Sequence, residues 1–429
     1  MPDRKTVLFV FPTDWDVRQL ETCREAWAPR FHVEFTEPSD WDCPWDLDIL
    51  GWIDAAAERW QGKIQGVASS SDYPGATVAG ALATRLGLPG PAPRSVIACS
   101  HKHVSRLEQR AAVPEATCGF DLVDPDALGT GPSFGFPCFV KPVKGAFSIM
   151  AGKIENLEQL RGFFSRPAAE GFRREYMHIF NQLAARFIPQ AADGRYFLAE
   201  QLLSGDMVTV EGFSVGDRVE ILGVTDSVVH PRTKSFEQFV FPSALPAAVQ
   251  ERMADLARRA IRGLDLRDAF FNIEMIRDAT TGSIHIIEVN PRICGQFADL
   301  YGKVLGRNSF ELLLELATGG NPRVPEPQGG LGVAASVPLR VYEPVAVTHA
   351  PTPDEIRAVE TANPGTLVWN ECKTGQILSD FESLEDGKSF RYGVVNLGAR
   401  DRSVLPEIVE KVTRDLGYRF RPLGPGRQA

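Results

Sequence analysis

With 429 residues, 44% of them hydrophobic and 24% charged, the chain is long enough for about two to three domains with sizeable cores. A formal net charge of −9 argues against a general nucleic-acid or anionic-membrane binder, so each basic residue has to be judged by its own setting. The seven cysteines, at 23, 43, 99, 118, 138, 294 and 372, are scattered and form no CxxC pair, which indicates neither a disulfide framework nor a zinc site and fits reduced thiols in a cytoplasmic protein.

In chain order, "TVLFVF" after Arg4 and Lys5 reads as a first strand rather than a signal peptide. It runs into Asp14 and Asp16 and offers no small-residue cleavage site. No apolar run approaches the roughly 18 to 20 residues that span a bilayer. A helical segment near 16–28, strand "FHVEFT", a helical segment near 46–60, strand "IQGVASS" and helix "PGATVAGALATRLG" then alternate, the pattern of a parallel α/β unit. Pro74 suits a first helical position and Gly87 a C-terminal stop, and "LPGPAP" sets a boundary near residue 93. The first βα turn lacks GxGxxG, while "SSSDYPG" ahead of a helix is expected either to offer backbone N–H groups to an anion or to be a plain polar loop. Residues 94–137 read as a helix followed by loops, with His101 and His103 as ordinary polar residues at the helix start. "FPCFVKPVKGAFS" gives a strand, a Lys-Pro step and a turn; helices at "IENLEQLRGFF" and 168–188 precede strand "RYFLAEQLLSG". Strands near 207–215 and 218–226, a helix at 247–263, a strand pair about "DATTGS" and helix "NSFELLLELATG" follow. "GGNPRVPEPQGG" reads as a linker into a last α/β piece from about 331.

The strand pair carries the chemistry. Pairing of "AFFNIEMIRD" with "SIHIIEVN" sets Glu274 opposite Glu288 within one register step, and like charges facing each other across a ladder are costly unless a cation neutralises them. Asn290, two residues beyond Glu288, shares its face. Two carboxylates and an amide oxygen form a hard, all-oxygen donor set suited to Mg²⁺, with Mn²⁺ as the alternative. The apolar flanks Phe270, Phe271, Ile273, Met275, Ile286, Ile287 and Val289 fit a covered sheet better than two solvated glutamates. Mg²⁺ commonly binds together with substrate phosphates, which directs attention upstream. There Lys141 ends the apolar strand "PCFVKP", where an ammonium is expensive unless it meets an anion or reaches water. Gly145 and Ala146 allow close backbone approach to phosphate, with Lys144 and Ser148 as further donors.

Taken together and in order, Lys102, Lys141 with its small-residue loop, "LAEQLLSGDMVTVEGF", "FFNIEM" and "EVNPR" resemble the ATP-grasp superfamily, in particular its carboxylate–amine ligases of amino acids and peptides. The resemblance covers roughly residues 60–320. It implies an α/β (α+β ATP-grasp) architecture: an N-terminal parallel α/β domain at 1–93, an ATP-grasp domain at 94–322 with a lid subdomain at about 115–203 and a central antiparallel sheet, and a C-terminal α/β lobe at 323–429. By the resemblance Lys102 and Lys141 contact nucleotide phosphates, "KGAFS" is a glycine-rich lid loop, and Glu200, Gln201, Leu202 and Leu203 form the hinge at the adenine edge. Glu274, Glu288 and Asn290 match the magnesium ligands, Arg292 the cation beside the transferred phosphoryl group and the substrate carboxylate, and Glu237 a glutamate near the amino substrate. Where many relatives carry a ribose-binding glutamate this chain has Met207, leaving Asp206 and Glu211 as candidates.

The activity so implied is ATP-dependent activation of a small-molecule carboxylate as an acyl phosphate and its transfer to an amine, releasing ADP and phosphate. Lys141 and Arg292 are the catalytic cations, and a homodimer is a common assembly of look-alikes. The alternatives are a phosphotransferase or carboxylase of the same superfamily, the latter disfavoured by the lack of a Met-Lys-Met carrier signature, and a nucleotide-binding protein without turnover.

Overall fold

The structure is a computed structural model that describes residues 4–39, 43–145, 150–165, 177–233, 235–327, 330–379 and 389–423. In chain order its first part comprises β1 (Lys5–Phe9), α1 (Asp14–Thr22), α2 (Arg24–Trp27), β2 (Phe31–Phe35), α3 (Ile49–Trp60), β3 (Gly66–Ala68) and α4 (Gly75–Leu86). Next come α5 (Pro93–Ser100), α6 (Lys102–Ala112), β4 (Phe120–Val123), β5 (Cys138–Pro142), β6 (Gly152–Ile154), α7 (Leu157–Phe164), α8 (Met177–Phe187) and β7 (Phe197–Gln201). They are followed by β8 (Asp206–Val215), β9 (Arg218–Val229), β10 (Phe236–Phe241), α9 (Ala247–Gly263), β11 (Phe270–Arg277), β12 (Ile284–Asn290), α10 (Ala298–Leu305) and α11 (Ser309–Ala317). The last part holds β13 (Val333–Val341), β14 (Val345–His349), α12 (Pro353–Ala362), β15 (Leu367–Asn370), β16 (Ile377–Leu378), β17 (Phe390–Ala399), α13 (Leu405–Asp415) and β18 (Arg419–Pro422). The chain divides into two compact units, the first made of Met1–Gly223, Leu245–Gly295 and Phe310–Val324 and the second of Val224–Ala244, Gln296–Ser309 and Pro325–Ala429.

The first unit begins with the expected parallel α/β piece, a three-stranded sheet in the order β2-β1-β3. Val7, Leu8 and Phe9 are all fully buried, so the central strand β1 is covered on both faces and reads as a continuous apolar run. Thr13 caps α1 in a reciprocal box: the Asp16 backbone N–H donates to Thr13 Oγ1 at 3.1 Å and the Thr13 N–H to Asp16 Oδ2 at 2.8 Å. Gly87 ends α4 in the left-handed conformation at φ 67°, as its placement predicts. Pro74 is the N-cap of α4, one position before the expected one. Residues 94–137 hold more structure than one helix and loops. His101 ends α5 and caps α6, accepting from the Val104 N–H, and β4 pairs with β7.

Two antiparallel sheets complete this unit's site-bearing part. One has the order β4-β7-β5-β6. The other runs β12-β11-β8 and continues into the first half of β9. The predicted hairpin is present, with Asn272 facing Asn290, Ile273 facing Val289 and Glu274 facing Glu288. After Glu274 the register steps, Met275 pairing with Ile286, so that Ile287 is an extra residue on β12, a β-bulge.

In the second unit β10, β13, β17 and β15 are neighbours in that order, beginning from the second half of β9, and β16-β14-β18 form a small separate sheet. Val333, Ala335, Val337, Val395 and Leu397 lie in its core with Leu405 and Val412 of α13. β10 and α10 were not expected from the sequence. Among the described residues no helix is long and apolar enough to cross a membrane.

Candidate active site

Register alone assembles a polar layer in the first unit. Thr209 and Glu211 on β8 face Glu274 and Asn272 on β11, which in turn face Glu288 and Asn290 on β12, so six polar side chains share one face of three strands. The opposite face carries Val210, Ile273 and Val289, all buried. The two glutamates are therefore neither solvated nor isolated. Burial, and next the charge of Glu288, push the Glu274 carboxyl well above its usual range. Lys102 answers half of that charge, its Nζ donating to Glu288 Oε1 at 2.8 Å and to the Gly145 carbonyl at 2.7 Å. Asn290 is 4% exposed. Two paired carboxylates and a buried amide on one face, only partly neutralised by one lysine, fit a hard divalent cation.

The bulge at Ile287 has a chemical use. Released from the regular ladder, the Ile287 carbonyl accepts from Arg106 Nη2 at 2.8 Å and Lys141 Nζ at 3.3 Å. The same two cations clamp Glu200: Arg106 Nε lies 2.5 Å from Oε1 and Lys141 Nζ 2.7 Å from Oε2. Burial works against the Glu200 charge, yet Arg106 and Lys141 hold its carboxyl well below the usual range. Arg106 is 2% exposed and gives a further bond to Gln109 Oε1. Sequence reasoning missed this residue. The available signal was its spacing of four from Lys102, which puts both on one stripe of α6.

Several expectations need correction. The Glu200 carboxylate, expected at the adenine edge, is committed to Arg106 and Lys141. The Gln201 N–H already donates to the Gly119 carbonyl at 2.9 Å, its side-chain Oε1 accepts the Gly119 N–H at 2.8 Å, and Leu202 and Leu203 lie past the end of β7. Lys144 is 1% exposed and pairs with Asp72 Oδ2 at 2.5 Å, so it faces a protein carboxylate. Lys141 does not snorkel to water; it is 8% exposed in its pair with Glu200. The "SSSDYPG" loop spends N–H groups internally, Ser71 on Ser69 Oγ, Gly75 on Ser71 Oγ and Ala76 on the Ser71 carbonyl, and it presents a carboxylate instead of an anion cradle. Of the two ribose candidates, Asp206 is exposed and ion-paired with Arg277 at 3.3 Å, whereas Glu211 is wholly buried in the polar layer. Glu211 Oε2 accepts from Asn272 Nδ2 at 2.8 Å and from the Cys294 N–H at 3.0 Å, and burial pushes its carboxyl up to about 8. Ser148 lies outside the described residues.

Arg292 leaves β12 on a turn closed by its own N–H to the Asn290 carbonyl at 2.9 Å. Its Nε lies 3.8 Å from Asp72 Oδ1. In the second unit Glu237 is the extra residue of a bulge on β10, and its Oε1 accepts from the Tyr342 hydroxyl at 3.4 Å.

Residues 134–299, which hold this hairpin, Lys141 and the sheet beside it, match the family model of the ATP-grasp domain. The fold extends further. An L-amino acid ligase from Bacillus licheniformis superposes with a TM-score of 0.76 at 15% identity, covering 98% of this chain and 100% of that one. Phosphoribosylglycinamide synthetase from Anaerococcus prevotii gives 0.65 at 13% identity, with 98% and 100% covered. The biotin carboxylase domain of the Hydrogenobacter thermophilus 2-oxoglutarate carboxylase, solved with MgADP and bicarbonate, gives 0.66 at 14%, with 97% and 91% covered. By sequence, an uncharacterized protein of Sinorhizobium fredii, y4rH, is 29% identical over 237 residues, 54% of this chain but only 44% of that protein.

Proposed function

We propose that this protein is an ATP-dependent carboxylate–amine ligase, organised as an N-terminal domain at 1–93, an ATP-grasp domain at 94–322 with a lid at about 115–203, and a C-terminal lobe at 323–429. The observation that carries the reading is the cross-strand Glu274–Glu288 pair with Asn290 on the same face and Lys102 bonded to Glu288. Glu274, Glu288 and Asn290 would hold Mg²⁺, which when bound supplies fixed positive charge against the triphosphate.

The chain's own residues supply the rest. A carboxylate approaching the γ-phosphate of ATP is an anion meeting an anion, so the site must hold cations in place before the reaction begins. Lys102 and Lys141 are fixed by Glu288 and Glu200 at the edge of the polar layer, which keeps their reorganisation cost low. Arg292 offers a planar fork suited to the carboxylate, to the transferred phosphoryl group and to the oxyanion formed when an amine attacks the acyl phosphate. The attack forms the C–N bond and expels phosphate. The fold shared with an L-amino acid ligase supports amino acids or peptides as the substrates.

The test is hydroxamate trapping with ATP, Mg²⁺ and a panel of carboxylic acids, read together with ADP release. Hydroxamate formed with one class of acid, in step with ADP, is the expected result. Phosphorylated product without hydroxamate would indicate a phosphotransferase, and ATP binding without ADP release a non-catalytic binder.

A further inference from the structure

We propose that Asp72 is a positioning residue of the ligation reaction, which aims the Arg292 guanidinium from the loop after β3; this rests on the ligase reading above. The geometry singles it out. Asp72 Oδ2 is bonded to Lys144 at 2.5 Å, while Oδ1 is buried, accepts no hydrogen bond among the described residues and lies 3.8 Å from Arg292 Nε. A guanidinium carries five N–H donors. Within the described residues the side chain of Arg292 has one hydrogen bond, from Nη1 to the Ile293 carbonyl at 3.4 Å. That bond is long and lies next to Arg292 in sequence, so it does little to fix the direction of the fork. The unsatisfied carboxylate oxygen of Asp72 is the anion that can.

The loop is built to hold that oxygen still. Ser69 Oγ donates to the Val10 carbonyl at 2.8 Å, which anchors the loop to the end of β1. The Tyr73 hydroxyl accepts the Phe180 N–H at 2.7 Å, which anchors the other side to α8. Lys144 is 1% exposed and lies 5.7 Å from the centre of the Tyr73 ring, so it cannot turn to water and remains on Asp72. Burial opposes the Asp72 charge, but Lys144, Arg292 and Lys102 hold the carboxyl far below its usual range, leaving it anionic at any working pH. A loop of the N-terminal α/β piece thereby orients a side chain that belongs to the ATP-grasp hairpin.

A residue acting through Arg292 should change turnover, not nucleotide binding, and its effect should vanish when Arg292 is already altered. Asp72→Asn keeps the size but removes the charge and turns one of the two accepting oxygens into a donor. It should lower kcat by about 10²-fold, the scale of loss from misplacing a reacting group, with the KM for ATP unchanged. Asp72→Glu should recover part of the rate. In an Arg292→Lys background, Asp72→Asn should cost little further. Should Asp72→Asn not fold, Asp72→Asn/Lys144→Met, which removes both members of the buried pair, replaces it in the same cycle. Wild-type kcat in the Asn variant would overturn the inference, as would a full additional loss in the Arg292→Lys background, or kcat and ATP affinity falling together with the melting temperature. Absence of hydroxamate from the wild type with every acid would instead overturn the ligase reading itself.

Discussion

Glu211 shows how much a single buried carboxyl can reveal. It has no exposure, its Oε1 accepts nothing among the described residues, and burial pushes its pKa from an ordinary value near 4.5 up to about 8. In that window the folded protein keeps a proton that the unfolded chain has released, so the folded state binds more protons and stability falls as pH rises from 4.5 to 8. Glu211→Gln removes the titration while keeping an acceptor for Asn272 and Cys294. Thermal scans in chelator should show its melting temperature declining less steeply between pH 5 and 8 than that of the wild type. Arg292 gives the complementary prediction at this scale. Arg292→Ala should reduce hydroxamate formation by about 10²-fold or more, as for loss of a preorganised charge donor, while MgATP binding by calorimetry changes far less. Equal losses in both would contradict its role in the transfer step.

At the scale of elements, α6 is the strut of the site. It presents Lys102 to Glu288 and, one turn on, Arg106 to Glu200 and Ile287, tying β7 and β12 together through one helical stripe. Arg106→Leu leaves the Glu200 carboxylate buried with Lys141 as its remaining ion-pair partner. Breaking such a pair from one side costs about 3 kcal/mol or more, to be read as a lower denaturant midpoint at unchanged slope. The hairpin that α6 supports could be read from the chain, because the "DATTGS" turn and the flanking apolar runs fix its register to within the step that the bulge then makes. The strut could not. Arg106 and Glu200 are 94 residues apart, and no local pattern says that a helical arginine will be buried or which carboxylate it will meet. Asp72 was hidden for a related reason: "SSSDYPG" carries polar loop chemistry, and only the fold shows that its carboxylate reaches Lys144 and Arg292. Short elements such as β10 and α10 were missed because neither repeats a pattern for long enough to stand out from the loops around it.

For the whole molecule, a nucleotide bound through a metal to the folded state alone must raise stability by mass action. ATP with Mg²⁺ at ~100 times its dissociation constant should add about 2.7 kcal/mol, seen as a higher melting temperature. A chelator should abolish most of the gain, and Glu288→Gln should blunt it even with Mg²⁺ present. A melting temperature indifferent to MgATP would remove the basis for the nucleotide site. The Ile287 bulge also bears on how this protein tolerates change. Its carbonyl is a main-chain atom, so any amino acid at 287 would still supply the oxygen on which Arg106 and Lys141 converge. Point substitution there is therefore nearly blind to the junction. Deleting that one residue would close the bulge, keep Glu288 opposite Glu274 in a regular ladder, and take away the carbonyl itself, which no exchange of side chain at 287 could reach.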